Sequence, residues 1–196
     1  MSWLHFNAPI HPVRELALCN ARKAVELDPA DAMNHSTLGF VLMNEKRLED
    51  AETELQTALR LNPNEADAWY ILSDLRVMEG RGLDAVDCSE RSLRLNPRPM
   101  GAYYWLYGQA LFAAGQYEAA VKTLRREETY RTGSRRFLAA ALAELGRLEE
   151  AREEGRMFMA ANPHFTIKHW IETQPFRDLG MRDRFVEAYR LAGLPE

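Results

Sequence analysis

The chain has 196 residues and little of what redox, metal or membrane chemistry requires. Two cysteines, Cys19 and Cys88, are too few for a disulfide framework and lack metal-ligand spacing, so buried thiols in a reducing compartment are expected. The longest apolar run, residues 137–143, is far too short to cross a bilayer, and no basic stretch leading into an apolar core marks a signal peptide. A cytoplasmic location with no membrane association follows as the expectation. Charge is nearly balanced, at 29 acidic against 25 basic residues, which argues against nucleic acid as a partner. No Gly-rich phosphate loop, Cys-x-x-Cys pair or His-Glu-x-x-His helix occurs. His164 and His169 are spaced so that a helix would turn them about 140° apart, a poor arrangement for sharing a metal. Asp67 and Asp74 would share a helix face, but no nucleophile or metal ligand accompanies them. No catalytic residue, cofactor or metal is expected in this chain.

What the chain does have is a repeat. Leu59-Arg60-Leu61-Asn62-Pro63 returns 34 residues later as Leu93-Arg94-Leu95-Asn96-Pro97, and Val25-Glu26-Leu27-Asp28-Pro29 stands the same step of 34 residues before the first. A fixed period of this length with one proline per period marks a solenoid of helical hairpins. The hydrophobic share of 46%, beside 28% charged residues, suits a soluble folded array.

A helix is expected over residues 13–27, with Ala17, Ala21 and Ala24 on one face, matching Ala51, Leu55 and Ala58 one period later. It is the second half of a repeat whose first half is missing, so either the chain was cut from a longer protein or residues 1–12 cover its apolar face. Residues 1–31 are therefore set apart from an array at 32–65, 66–99, 100–131 and 132–165. The first helix of the first full repeat carries His35, Leu38, Gly39 and Leu42 on one stripe, with Gly39 as a close-approach point. The second carries Leu48, Ala51, Leu55, Ala58 and Leu59, and stops at Asn62-Pro63 because the residue before proline is pushed out of the α region. Asn64 is placed to cap the next helix. Later first helices carry Trp69 and Leu72, then Tyr104, Tyr107, Gly108 and Leu111, then Leu138, Ala139 and Leu142. Ala85, Ala120 and Ala151 are spaced 35 and then 31, which compresses the junction at 129–133. Residues 166–196 form an end piece: Trp170 and Ile171 on a short helix, then a final helix over 179–192 with Met181, Phe185 and Tyr189 on one face, stopped by Gly193-Leu194-Pro195.

Trp69-x-x-Leu72, Tyr104-x-x-Tyr107-Gly108-x-x-Leu111, Leu38-Gly39, the alanines at 17, 51, 85, 120 and 151, and the prolines at 29, 63, 97 and 163 together resemble the tetratricopeptide repeat (TPR). The resemblance covers about residues 13–163 and implies an all-α superhelix with a C-terminal capping helix. Arg76 and Arg135 depart from it by standing in aromatic or aliphatic slots, Ser89 and Ser92 stand where bulkier residues or alanine are usual, and Glu127 replaces an alanine. The runs Asn162-Pro163-His164-Phe165, Gln174-Pro175-Phe176-Arg177-Asp178 and Ala192-Gly193-Leu194-Pro195-Glu196 resemble the C-terminus of bacterial adenylate/guanylate cyclase-like proteins with trailing TPRs. That likeness implies an alternative role, as the regulatory or dimerising part of a cyclase whose catalytic domain is absent here.

In TPR arrays the first helices line a concave wall, so the residues beside each packing stripe are the candidate peptide-binding groove. These are Ser36, Phe40 and Met43, then Tyr70, Asp74 and Val77, then Trp105, Gln109 and Phe112, then Arg136. Each of the aromatics is also a candidate for ordinary core. The family's best-known clamp grips a terminal carboxylate with Lys and Asn, and these positions do not reproduce it. Arg125, Arg126, Arg131, Arg135 and Arg136 form a local basic cluster, read as solvated residues at an irregular junction. The function expected is binding of a protein or peptide segment, which includes a second copy of the chain.

Overall fold

The computed structural model describes residues 10–126 and 131–196. Among these residues every regular element is helical: α1 (Ile10–Leu27), α2 (Ala32–Asn44), α3 (Leu48–Leu61), α4 (Ala66–Met78), α5 (Gly82–Leu95), α6 (Gly101–Ala113), α7 (Tyr117–Leu124), α8 (Arg131–Glu144), α9 (Leu148–Ala161), α10 (Ile167–Thr173) and α11 (Leu179–Leu191). α2/α3, α4/α5, α6/α7 and α8/α9 pair as hairpins, and each second helix packs on the first helix that follows. α2, α4, α6 and α8 also touch in succession, whereas α3, α5 and α7 have no comparable contacts with one another. The stack therefore bends toward its first helices and makes them the inner wall. This is the all-α TPR superhelix.

Small residues set the hairpin spacing. Ala51, Ala85, Ala120 and Ala151 are fully buried. A Cβ added at Gly39 would meet Leu55 Cγ at 2.8 Å, so the two helices could not approach as they do. Three hairpins turn on Gly80, Gly115 and Gly146 with φ between 71° and 75°, and the first uses Lys46 at φ 60° instead. Between repeats, a side chain before proline holds the turn: Asp28 Oδ1 accepts from Ala30 N, Asn62 Oδ1 from Asn64 N and Asn96 Oδ1 from Arg98 N.

Several expectations need correction. Asn64 does not cap α4; Glu65 occupies the N-cap, and Asn62 binds the turn instead. α1 begins at Ile10, three residues earlier than the expected 13. Cys88 is buried, but Cys19 is exposed because α1 packs on one side only. Trp69 is half-buried, not core: its Nε1 donates to Pro63 O at 3.0 Å and Arg91 lies 4.2 Å from the ring centre. The cover expected from residues 1–12 falls on residues 1–9 and the side chains of 10–12, outside the described residues, as do Glu127 and the 129–130 part of the compressed junction.

The polar departures from the repeat satisfy one another. Arg76 donates to Glu52 at 2.5 Å and to Glu79 at 2.6 Å, while Ser73 Oγ donates to Ala85 O at 2.8 Å and lies 2.6 Å from Ser89 Oγ. Arg135 donates to Glu154 at 2.5 Å. A buried polar group costs little when its partners are in place. The basic cluster is dispersed in the same way, with Arg125 on Glu150, Arg126 over the Tyr104 ring and Arg136 buried. The side chain of Arg131 lies outside the described residues.

The C-terminal segment does more than close the last hairpin. α11 packs on α8 and α9 and also reaches α4. Its loop crosses the hairpin ends: the backbone N–H groups of Arg177 and Asp178 both donate to Met78 O, at 2.9 and 3.0 Å, and Lys46 Nζ donates to Glu172 O at 2.7 Å. Gly155 makes room for it, since a Cβ there would lie 2.6 Å from Ala192 O. Gly193 takes φ 76°, Leu194 folds back to donate to Tyr189 O at 3.0 Å, and Ile167 N donates to Pro195 O at 2.8 Å.

Candidate binding groove

The ten groove candidates divide by burial. Ser36, Met43, Val77, Gln109, Phe112 and Arg136 are buried, whereas Phe40, Tyr70, Asp74 and Trp105 are half-buried. The division follows the C-terminal segment. Phe185 of α11 stacks on Phe112 with ring centres 4.5 Å apart and also meets Phe137 at 5.8 Å, Trp170 at 6.0 Å and Phe176 at 5.9 Å. Val77 and Phe112 share this cluster, so the part of the wall nearest the C-terminal ends of the first helices is covered by the chain itself.

Nearer the N-terminal ends of those helices, Tyr70 stacks on Tyr103 at 4.8 Å, and the Tyr103 hydroxyl donates to Asp67. Trp105 lies 5.9 Å from Phe137 and against Gly133, where an added Cβ would be 3.7 Å from the indole. Tyr70 and Trp105 thus find different partners despite equivalent places in their repeats. Burial, with Asp74 next, raises the Tyr70 phenol well above its ordinary value.

Asp74, Gln109 and Arg136 come together across three first helices. Gln109 Nε2 donates to Asp74 Oδ1 at 3.1 Å. Burial lifts the Asp74 carboxyl from 3.8 to about 6, against the lowering effect of the Gln109 hydrogen bond and the Arg136 charge. Arg136 is 6% exposed, and its guanidinium carbon stands 4.7 Å from the Phe137 ring and 5.9 Å from each of the Trp105 and Trp170 rings. Its Nε, Trp105 Nε1, Trp170 Nε1 and His169 Nε2 are buried with no hydrogen-bond partner. No group of three His, Cys, Asp or Glu residues placed to hold a metal occurs among the described residues, and no helix among them is long and apolar enough to cross a membrane.

Reading the sequence missed Tyr103 and the groove-facing role of Trp170, Phe185 and Tyr189. A signal was present: Phe165, Trp170, Phe176, Phe185 and Tyr189 bring more aromatic area than one capping helix needs to cover one hairpin.

The fold agrees with comparisons to known proteins. A tetratricopeptide-repeat model matches residues 38–88, and a model described as anaphase-promoting complex, cyclosome, subunit 3 matches residues 83–154. Solved structures show the same fold. YrrB, described as a TPR protein with an unusual peptide-binding site, is 24% identical with a TM-score of 0.59, over 88% of this chain and 95% of that one. A thermophilic TPR protein of Thermus thermophilus is 20% identical with a TM-score of 0.65, over 89% and 90%. The Cut9–Hcn1 hetero-tetramer of the anaphase-promoting complex gives a TM-score of 0.70 at 15% identity, over 91% of this chain and 36% of that one. No curated protein matches the chain. Residues 38–88 thus match the tetratricopeptide repeat in sequence, and the chain as a whole has the fold of that repeat class. None of these matches adds to the cyclase resemblance.

Proposed function

We propose that this protein is a non-catalytic interaction module whose concave wall takes a segment of a protein partner along the strip its own C-terminus leaves open. The observation that carries this reading is that three successive first helices each contribute one half-buried aromatic residue, Phe40, Tyr70 and Trp105, to the inner wall. Aromatic side chains combine large apolar area with a polar edge and few rotors, which suits them to binding hot spots. Ser36, Met43, Val77, Gln109 and Phe112 form the buried layer that holds the strip in place, and Asp74 and Arg136 give it an acid and a base.

The test is a displayed-peptide selection against the whole protein. Binders should lose about 10-fold or more in affinity on Tyr70→Ala, and a substitution on the outer helices such as Arg94→Ala should leave them unchanged. Binders insensitive to Tyr70→Ala and sensitive to outer-helix changes would move the site off this wall. Sedimentation of the same variants covers the case in which the partner is a second copy: self-association abolished by Tyr70→Ala supports the reading, and self-association indifferent to it counts against this wall.

A further inference from the structure

The start of the second helix is built alike in three hairpins. Arg47 donates to Asp50 at 2.7 Å, Arg81 to Asp84 at 2.6 Å and Arg147 to Glu150 at 2.7 Å, each an exposed ion pair. α7 has the uncharged Gln116 and Ala119 in those places. One period of 34 before Arg47 and Asp50, α1 has Val13 and Leu16, which are 57% and 61% exposed. A single exposed apolar side chain needs no explanation, but here two stand where a solvated ion pair stands elsewhere. Leu27, at the other end of α1, is 75% exposed.

Helical geometry gathers these residues on one face. At 3.6 residues per turn, Val13, Leu16, Asn20, Ala24 and Leu27 fall within about 80° of arc. That arc lies about 130° round α1 from Leu18, Ala21 and Val25, which pack into the core shared with α2. α3, α5 and α7 each lie between two first helices, whereas among the described helices α1 packs on α2. Asn20 stands one period before Glu54, which meets His35 of its own first helix at 2.6 Å. The open face of α1 is therefore the one that a first helix covers in a complete hairpin.

We propose that a second copy of the chain docks on this face, with the two α1 helices packed antiparallel about Asn20. The contact lies at the end of the array and is separate from the concave wall. A second copy is favoured over another partner because the face matches itself. Val13 and Leu27 lie seven residues either side of Asn20, and Leu16 and Ala24 lie four either side. Turned end for end, the face sets Val13 on the partner's Leu27 and Leu16 on the partner's Ala24. Asn20 meets the partner's Asn20, and each amide can donate and accept, which fixes the register. Charge agrees with that alignment, since Arg14 near the start of one helix comes beside the partner's Asp28 just past the end of the other. One helix from each copy makes a contact below about 1,200 Å², so dissociation in the micromolar range is expected.

Sedimentation equilibrium of the full chain across the micromolar range is the test, with circular dichroism as the check on folding. The parent should dimerise. Val13→Arg combined with Leu16→Asp rebuilds the ion pair of the other hairpins, so it should keep the fold and raise the dissociation constant at least ~100-fold. Asn20→Glu or Asn20→Lys alone sets like charges together at the two-fold axis and should weaken the dimer by ~10-fold or more. An equal mixture of those two variants sets opposite charges there and should restore association. Cys19 is exposed and Cys88 buried, so a bismaleimide should couple two parent copies through Cys19 and leave the double variant uncoupled. A monomeric parent overturns the proposal, in favour of a cover supplied by residues 1–9 or by another protein. A dimer indifferent to the Val13 and Leu16 changes, or a mixture that does not recover, overturns it as well. Should the double variant fail to fold, the Asn20 variants decide alone. Tyr70 takes no part in this contact, so self-association through the wall is read on the double variant, where association through α1 is gone.

Discussion

Phe185→Ala tests the central structural claim, that the C-terminal segment is anchored on the inner wall. Phe185 is fully buried and stacks on Phe112 at 4.5 Å, with Phe137, Trp170, Phe176 and Tyr189 within 6.1 Å. Truncating a buried Phe costs about 3–5 kcal/mol through lost transfer energy and the cavity left behind. The stacked pair contributes about 0.5–1.5 kcal/mol of that, so ~4 kcal/mol is a fair centre. For a chain of this size each kcal/mol shifts Tm by about 2–4 °C, which gives a fall of about 8–16 °C if unfolding is cooperative. Repeat arrays unfold locally as well as globally. Segment-resolved hydrogen exchange should therefore accompany the melt: α10 and α11 should lose protection first, while α3 to α5 keep most of theirs. Leu179→Ala, at a 57% exposed position, is the control and should change stability by less than about 0.5 kcal/mol. A Phe185→Ala protein within 1 kcal/mol of the parent, with α11 still protected, would refute the anchoring.

Three further outcomes follow from the polar features. Arg76→Met should cost about 3 kcal/mol in a denaturant titration, because Glu79 is then left with Arg81 at 3.6 Å, and adding Glu79→Gln should return part of the loss. Asp74, whose pKa is raised to about 6, binds its proton more tightly when folded, so its contribution is fully present below its unfolded pKa and is lost as pH rises through 6. Asp74→Asn should therefore stabilise the protein by about 2–3 kcal/mol at pH 8 and by close to nothing at pH 4, as read from melts across that range; Tyr70 on α4, Gln109 on α6 and Arg136 on α8 are the groups that face it. Lys46→Gly relieves a left-handed backbone worth about 1–2 kcal/mol, at the expense of an exposed hydrogen bond to Glu172 O and a more flexible unfolded chain. A net change between zero and about 1 kcal/mol of stabilisation is expected in its melt, and a loss above 1 would show that Lys46 holds the tail more firmly than one surface bond can.

The helical array was readable because its determinants are local. Proline after Asn62 and Asn96 stops a helix wherever it stands, and alanine or glycine at Gly39, Ala51 and Ala85 is required by a helix spacing that recurs every period. The polar substitutions were legible as departures but not as solutions, because Arg76 finds Glu52 on the preceding hairpin and Ser73 finds Ser89 across its own. No period relates those pairs. The same holds more strongly for the wall. Nothing local in Phe185 says that its partner is Phe112, 73 residues earlier, instead of the outer face of α9. Half-buried Tyr70 and Trp105 look alike in register, yet one stacks on Tyr103 within the array while the other lies beside Arg136 and Phe137. Which side chains on a repeat wall stay accessible is decided by what folds back onto it.

That return of the chain constrains any partner. A segment reaching Val77 and Phe112 would have to displace α11, and the anchoring of Phe185 alone sets the cost near 4 kcal/mol by the reasoning above. At about 1.4 kcal/mol per decade this is close to a thousandfold loss of affinity before the Met78 backbone bonds to Arg177 and Asp178 are counted. A partner that binds beside α10 meets no such penalty. It finds Tyr70 and Trp105 partly open. The C-terminal segment therefore closes the apolar half of the wall to competition and leaves the half that carries Tyr70 to a partner. Loss of α11 docking should then expose apolar wall, whereas damage confined to the half that carries Tyr70 should weaken partner capture and leave the tail in place.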